Sequence, residues 1–306
     1  MRKCMIICLL AIFCLGLPLH AFAAELDTDR PCSLDLEYTQ EEFAFSGLNI
    51  AIYRVAEAYA DGTFSLVAPF NAFPVNIYGI TSQQEWRDVA STLVAYITAE
   101  QLQPSYTAIT DATGIASFTQ LPTGLYLVKG ISARNDNGTY LFNDFMIYLP
   151  TPYEDGSYDY DLQAKPKCTS FTPSTTYQVV KLWKDFGMEQ QRPVSVTVDI
   201  YKDGQLHQTV VLNEENGWCF SWNDPDGSGI WHVVERDVPA GYTVSVTAGQ
   251  TVFTITNTNP DSPPPPPSTG DIFPVWLWAL GMCVTGFVAI AMSMVGLRGK
   301  INEKQA

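Results

Sequence analysis

Between residues 177 and 259 the chain repeats one pattern, a short stretch of alternating apolar and polar residues followed by a turn. There are seven such stretches: Gln178–Trp183, Val194–Tyr201, Gln208–Leu212, Gly217–Trp222, Ile230–Glu235, Tyr242–Val246 and Val252–Thr256. Asp203-Gly204, Asn213 to Asn216, Asp224 to Gly229 and Pro239-Ala240-Gly241 separate them. Alternation with a period of two puts one face of a strand on a core and the other in water. Seven short strands in so small a segment predict an immunoglobulin-like β-sandwich over 177–259.

Residues 24–168 read as a second sandwich with one interruption. Ser33–Tyr38, Leu48–Val55, Thr63–Val67, Ala112–Phe118, Gly124–Lys129, Tyr140–Leu149 and Tyr158–Ala164 carry strand patterning, broken by Gly, Pro, Asn and Asp. Between the early and late strands, Ser82 with Glu85 forms a capping box. Trp86, Val89, Leu93, Tyr96 and Ile97 then recur at helical spacing, so a helix is expected over Gln83–Ala99. Residues 169–176, rich in Ser, Thr and Pro, read as a linker. The fold class is therefore all-β: two immunoglobulin-like sandwiches, the first with a helical insertion.

Both ends of the chain carry apolar runs of a different kind. Arg2 and Lys3, the run from Met5 to Leu17 and Ala21-Phe22-Ala23 predict a secretory signal peptide over 1–23. At the other end, Pro263 to Pro267 begin a stiff spacer, and Ile272 to Leu297 is long enough for a transmembrane helix, which needs about 20 apolar residues. Arg298, Lys300 and Lys304 in the tail 298–306 hold the C-terminus in the cytoplasm and leave the rest outside. The segment 260–271 resembles the cell-wall sorting signal of Gram-positive surface proteins, with Pro266-Pro267-Ser268-Thr269-Gly270 in the place of LPxTG. Pro266 replaces the usual Leu, as in the (Ser/Pro)-Pro-x-Thr-Gly sites of some clostridial sortases. The resemblance implies cleavage between Thr269 and Gly270 by a sortase and attachment to peptidoglycan. The plain alternative is a single-pass anchor behind a proline hinge.

Charge and side-chain chemistry narrow the function classes. A net charge of −15 argues against nucleic-acid binding, which needs Lys/Arg patches. Once the signal is removed, His207 and His232 are the only histidines, no Cys/His cluster has metal-ligand spacing, and no cofactor or metal is expected. No nucleophile–base set or phosphate loop stands out, so a turnover enzyme is not expected. Cys32, Cys168 and Cys219 make an odd count outside the membrane span, a poor disulfide framework, although Cys32 and Cys168 flank the first domain and could pair.

Side-chain parity singles out three polar residues in the second sandwich. Lys181 shares a face with Val179 and Trp183, Glu235 with Trp231 and Val233, and Asn257 with Phe253 and Ile255. An amine, a carboxyl and a carboxamide are thus aimed towards one core. Charges buried alone cost several kcal/mol or more, so these groups must compensate one another. A buried Lys181–Glu235 ion pair with Asn257 as hydrogen-bond partner is one arrangement; a covalent bond is another. Lys184 lies on the opposite parity.

The segment resembles the Cna protein B-type domain through Val180-Lys181-Leu182-Trp183, Trp231-x-Val233-x-Glu235 followed by Val238-Pro239-x-Gly241-Tyr242, and Ile255-Thr256-Asn257-Thr258. That resemblance implies an intramolecular isopeptide bond between Lys181 and Asn257, assisted by Glu235. Chemically, burial lowers a lysine pKa and raises a glutamic acid pKa, giving a neutral nucleophile beside a proton donor. The first domain offers no counterpart, because its opening strand carries Asp35 and Glu37, and Lys129 stands where a glutamate would be needed.

The first domain resembles the N-terminal domain of Gram-positive pilin subunits, through Thr110–Gly114 running to Leu121–Tyr126 and through Tyr158-Asp159-Tyr160-Asp161-Leu162-Gln163-Ala164-Lys165-Pro166-Lys167. The second stretch is similar to WxxxVxVYPK, with Tyr158, Leu162, Ala164 and Lys165 at the positions of Trp, the two Val and Tyr. The resemblance implies that Lys167 attacks the sortase-bound threonine of another subunit, Lys165 competing for that role. The expected protein is a structural, wall-anchored pilin-like subunit, with sortase, peptidoglycan and further copies of itself or other pilins as partners. The rival expectation is a non-polymerising adhesin that binds a host or community ligand through its first domain.

Overall fold

The computed structural model describes residues 25–135, 138–170, 176–224 and 229–263. The expected signal peptide, the Pro266–Gly270 motif, the span 272–297 and the tail 298–306 lie outside the described residues. Those up to Asp261 belong to one compact unit, and its described elements are mostly strands.

In the first domain, Cys32–Glu37 sits between Asp161–Ala164, with which it runs parallel, and Ile115–Leu121. A second sheet orders Phe145–Leu149, Gly124–Val128, Asn49–Ala58 and Phe64–Leu66, with Tyr106–Ile109 also on Asn49–Ala58. Leu34, Leu36, Ile50, Ile52, Phe118 and Tyr126 fill one core. Every residue of Gly124–Val128 is buried, because this strand is covered on both faces. Tyr126 and Val128 face the sandwich core, whereas Leu125 and Leu127 face the helix. The close packing explains Gly124: a Cβ there would lie 2.3 Å from Ala56 O.

The helix Gln83–Ala99 forms as its periodicity predicts, with both halves of the Ser82/Glu85 capping box made. Like most helices in folded proteins, this helix of 17 residues draws its stability chiefly from what it buries. Here it buries more than one face. Val89, Leu93, Val94 and Ile97 join a core that also contains Tyr53, Val55, Leu125 and Leu127 of the first domain and Val233, Val234, Val244 and Val246 of the second.

All seven expected strands of the second domain are present: Thr176–Lys184, Ser195–Lys202, Gln205–Asn213, Cys219–Asn223, Trp231–Glu235, Thr243–Ala248 and Val252–Thr258. They form two sheets. One orders Cys219–Asn223, Thr176–Lys184, Val252–Thr258 and Thr243–Ala248; the other orders Gln205–Asn213, Ser195–Lys202 and Trp231–Glu235. The first and last strands are parallel neighbours. Trp222 packs with Tyr177 and Trp231 at ring-centroid distances of 5.8 and 5.4 Å, so it belongs to the core, as its alternation suggests.

Three details correct the sequence reading. The stretch Tyr140–Leu149 is two strands, broken at Asn143 and Asp144, where the Asp144 carboxylate accepts the Gly130 N–H at 2.6 Å. The expected linker 169–176 loses both ends to strands, since Thr169 and Ser170 pair with Leu141 and Tyr140 and Thr176 opens the next domain. The edge of Gly138–Phe142 has backbone groups to satisfy, and these residues satisfy them. Tyr106–Ile109 and Ile131–Asn135 are strands that the turn-based reading passed over.

Candidate crosslinking site

Lys181, Glu235 and Asn257 meet inside the second sandwich. Lys181 lies on its opening strand, whose burial alternates so that Tyr177, Val179 and Lys181 point inward while Leu182 and Lys184 are exposed. On the neighbouring strand Lys181 is opposite Ile255, and Asn257 is two residues further along the same face. Glu235 ends the Trp231–Glu235 strand and reaches across from the other sheet. The gap between the sheets is therefore bridged by polar groups at this level, although Val179, Val198, Val233 and Ile255 surround them as core.

The side chains of Lys181 and Glu235 are both fully inaccessible to solvent, with Lys181 Nζ 3.6 Å from Glu235 Oε2. Asn257 Nδ2 donates to Glu235 Oε1 at 2.7 Å. Lys181 Nζ donates to Leu182 O at 2.9 Å and lies 4.0 Å from the centre of the Trp183 ring. Glu235 Oε2 and Asn257 Oδ1 are buried without a hydrogen-bond donor. Buried acceptors are nearly always paired, and protonation of Glu235 would give its Oε2 a hydrogen to donate.

The electrostatics point the same way. Desolvation pushes the Lys181 ammonium down to about 8, against the pull of Glu235. Desolvation also raises the Glu235 carboxyl, opposed by Lys181 and by the hydrogen bond to Asn257. The two shifts converge, which lowers the cost of moving a proton from amine to carboxylate and leaving both groups neutral.

A second polar cluster supports the end of the Lys181 strand. Buried Asp185 accepts from Arg192 Nε and Nη2 at 2.8 and 2.6 Å and from the Tyr242 hydroxyl at 2.9 Å. Parity gave no sign of Asp185, which lies beyond the strand. Tyr242, which closes the Val238-Pro239-x-Gly241-Tyr242 motif, anchors this cluster.

Residues 177–258 match the family model of the Cna protein B-type domain. This segment is a Cna protein B-type domain. A stretch of 106 residues is 32% identical to the collagen adhesin of Staphylococcus aureus, covering 31% of this chain and 9% of that protein. The chain thus spans a small fraction of that relative's length. Among solved structures, the major pilin SpaD of Corynebacterium diphtheriae aligns over 76% of this chain and 65% of its own at 15% identity and a TM-score of 0.30. A single B repeat unit of the S. aureus collagen-binding protein covers 76% and 99% at 14% identity and a TM-score of 0.26.

Outside the B-type domain, Lys167 is exposed, and its carbonyl accepts the Asn143 N–H at 3.0 Å. Lys165 is engaged instead, 3.0 Å from Glu37 Oε1. Asp35 and Glu37 lie on the outer side of their strand, whose inward positions are Leu34 and Leu36. Cys32 and Cys168 are unbonded thiols, and burial pushes the Cys32 thiol up to about 11.

Proposed function

We propose that this chain is a cell-wall-anchored, pilin-like structural subunit whose B-type domain closes an isopeptide bond between Lys181 and Asn257. The observation that carries the reading is the solvent-free contact of amine, carboxyl and carboxamide in the second sandwich.

The reaction needs no cofactor. Transfer of a proton from Lys181 to Glu235 leaves a neutral amine, whose lone pair attacks Cγ of Asn257. Protonated at Oε2, Glu235 donates to Oδ1 while its Oε1 keeps the Nδ2 hydrogen bond, and so stabilises the charge developing on that oxygen. Glu235 then relays a proton from the attacking nitrogen to Nδ2, the C–Nδ2 bond breaks, and ammonia leaves. Holding the groups in contact supplies the effective molarity for attack on an unactivated amide. The chemistry occurs once per chain, so the domain is a self-modifying structure and not a turnover enzyme.

In this account sortase cleaves between Thr269 and Gly270 and joins Thr269 to peptidoglycan or to a lysine of a second subunit. Both lysines are exposed, and Lys167 is the favoured acceptor because Lys165 is engaged by Glu37. An intact mass of the secreted chain tests the internal bond. A deficit of one ammonia, abolished by Lys181→Ala and by Asn257→Ala, supports it; a full mass in folded protein rejects it.

A further inference from the structure

The B-type domain does not close its own core. Its two sheets are open on the side between Trp231–Glu235 and Thr243–Ala248, and the first domain's helix packs against both of these strands. The strand Thr243–Ala248 is the free edge of its sheet, and the first domain takes up two of its outward amides. Val244 N–H donates to Pro74 O at 2.8 Å, and Val246 N–H donates to Thr92 Oγ1 at 2.7 Å.

These two amides fall on the rows that carry the crosslink residues. Val244 is directly opposite Asn257, and Val246 is opposite Ile255, which is in turn opposite Lys181. The first domain therefore fixes the sheet from its edge at the levels where the amine and carboxamide must meet. On the other side the helix packs against Trp231–Glu235, the strand that ends in the third member of the site. Tyr96 is buried, stacks on Phe73 at 4.5 Å, and its hydroxyl is raised first by burial and then by the negative charge of Glu235.

We propose that the first domain's helix and the Pro74 segment form a wall of the crosslink site, with Thr92 and Tyr96 as positioning residues, so that the Lys181–Asn257 bond closes in the docked two-domain unit. This rests on the isopeptide reading above. Water on that side of the sandwich would solvate Lys181 and Glu235, returning the amine towards its ordinary, protonated state and the carboxyl towards its ionised one. Both changes remove the neutral pair that the reaction requires. The bond thereby reports that the two domains have assembled correctly before the subunit bears load.

The test uses the full chain made in a short cell-free pulse and transferred to buffers of stepped pH, with the Lys181–Asn257 peptide followed by mass spectrometry. In Thr92→Val and Tyr96→Leu, closure at neutral pH is expected to slow about tenfold for each unit by which Lys181 recovers its normal pKa. The rising limb of the pH profile is expected to move to higher pH by the same shift. A merely structural loss would lower the yield of folded protein without moving that limb. Closure at the unsubstituted rate with an unmoved limb in both variants overturns the inference and leaves the bond standing. Absence of the peptide from the unsubstituted chain overturns the bond and the inference with it.

Discussion

Asn257 donates its carboxamide N–H to Glu235 at 2.7 Å, and the two residues belong to opposite sheets of one sandwich. A hydrogen bond in that position could be replaced by apolar packing at little cost. Beside a buried lysine, it places the nitrogen of an amide within reach of a group that can carry a proton.

Glu235→Gln separates positioning from proton transfer. The glutamine keeps the shape and one hydrogen bond of the site but cannot accept the Lys181 proton. The variant is expected to fold and to close the bond at least a hundredfold more slowly, in line with the roughly 10²–10⁴-fold worth of a positioned acid–base group. Time-resolved mass spectrometry reads the difference, and closure at the unsubstituted rate would remove Glu235 from the reaction.

Removing Lys181 alone leaves Glu235 buried without a counter-charge. Lys181→Ala is expected to cost about 3–5 kcal/mol in urea unfolding beyond the loss of the crosslink itself. The double variant Lys181→Met with Glu235→Leu, which takes out both charges, is expected to recover most of that. Equal stability of the single and double variants would mean that the charges are not buried as described.

The two sandwiches were legible because their strands alternate and their turns carry Gly, Pro, Asn and Asp, and the site was legible because parity needs nothing beyond strand assignment. The apolar neighbours of Lys181, Glu235 and Asn257 aim each of them inward whatever the strand pairing. What was not legible is the packing between domains. The helix residues Val89, Leu93 and Ile97 announce an apolar face but not its owner, and only the fold shows that second-domain valines share it. Short strands such as Ile131–Asn135 were missed because half-buried edges alternate weakly.

Acid should lower the stability of the folded chain. His232, half-buried on the Trp231–Glu235 strand, has its imidazole pushed down to about 4 by burial and by the charge of Lys129 on the first domain. The unfolded chain binds a proton at about 6.5 and the folded one does not, so this contribution is whole above about 6.5 and lost as the pH falls towards 4. His232→Phe is expected to flatten the stability profile across that window in chemical unfolding. A profile unchanged by the substitution would place the acid sensitivity elsewhere.

Assembly through Lys167 has its own signature. In the native host, sortase-dependent high-mass ladders are expected, lost in Lys167→Ala and kept in Lys165→Ala. A single anchored band in the unsubstituted strain would favour the adhesin reading, with ligand binding assigned to the first domain.

The central claim is that the amine of Lys181 and the carboxamide of Asn257 become one amide. Peptide mapping of the mature protein tests it most directly. The account predicts a branched peptide joining the Lys181 and Asn257 segments, lighter than their sum by one ammonia. Recovery of the two as separate linear peptides from folded protein would contradict it.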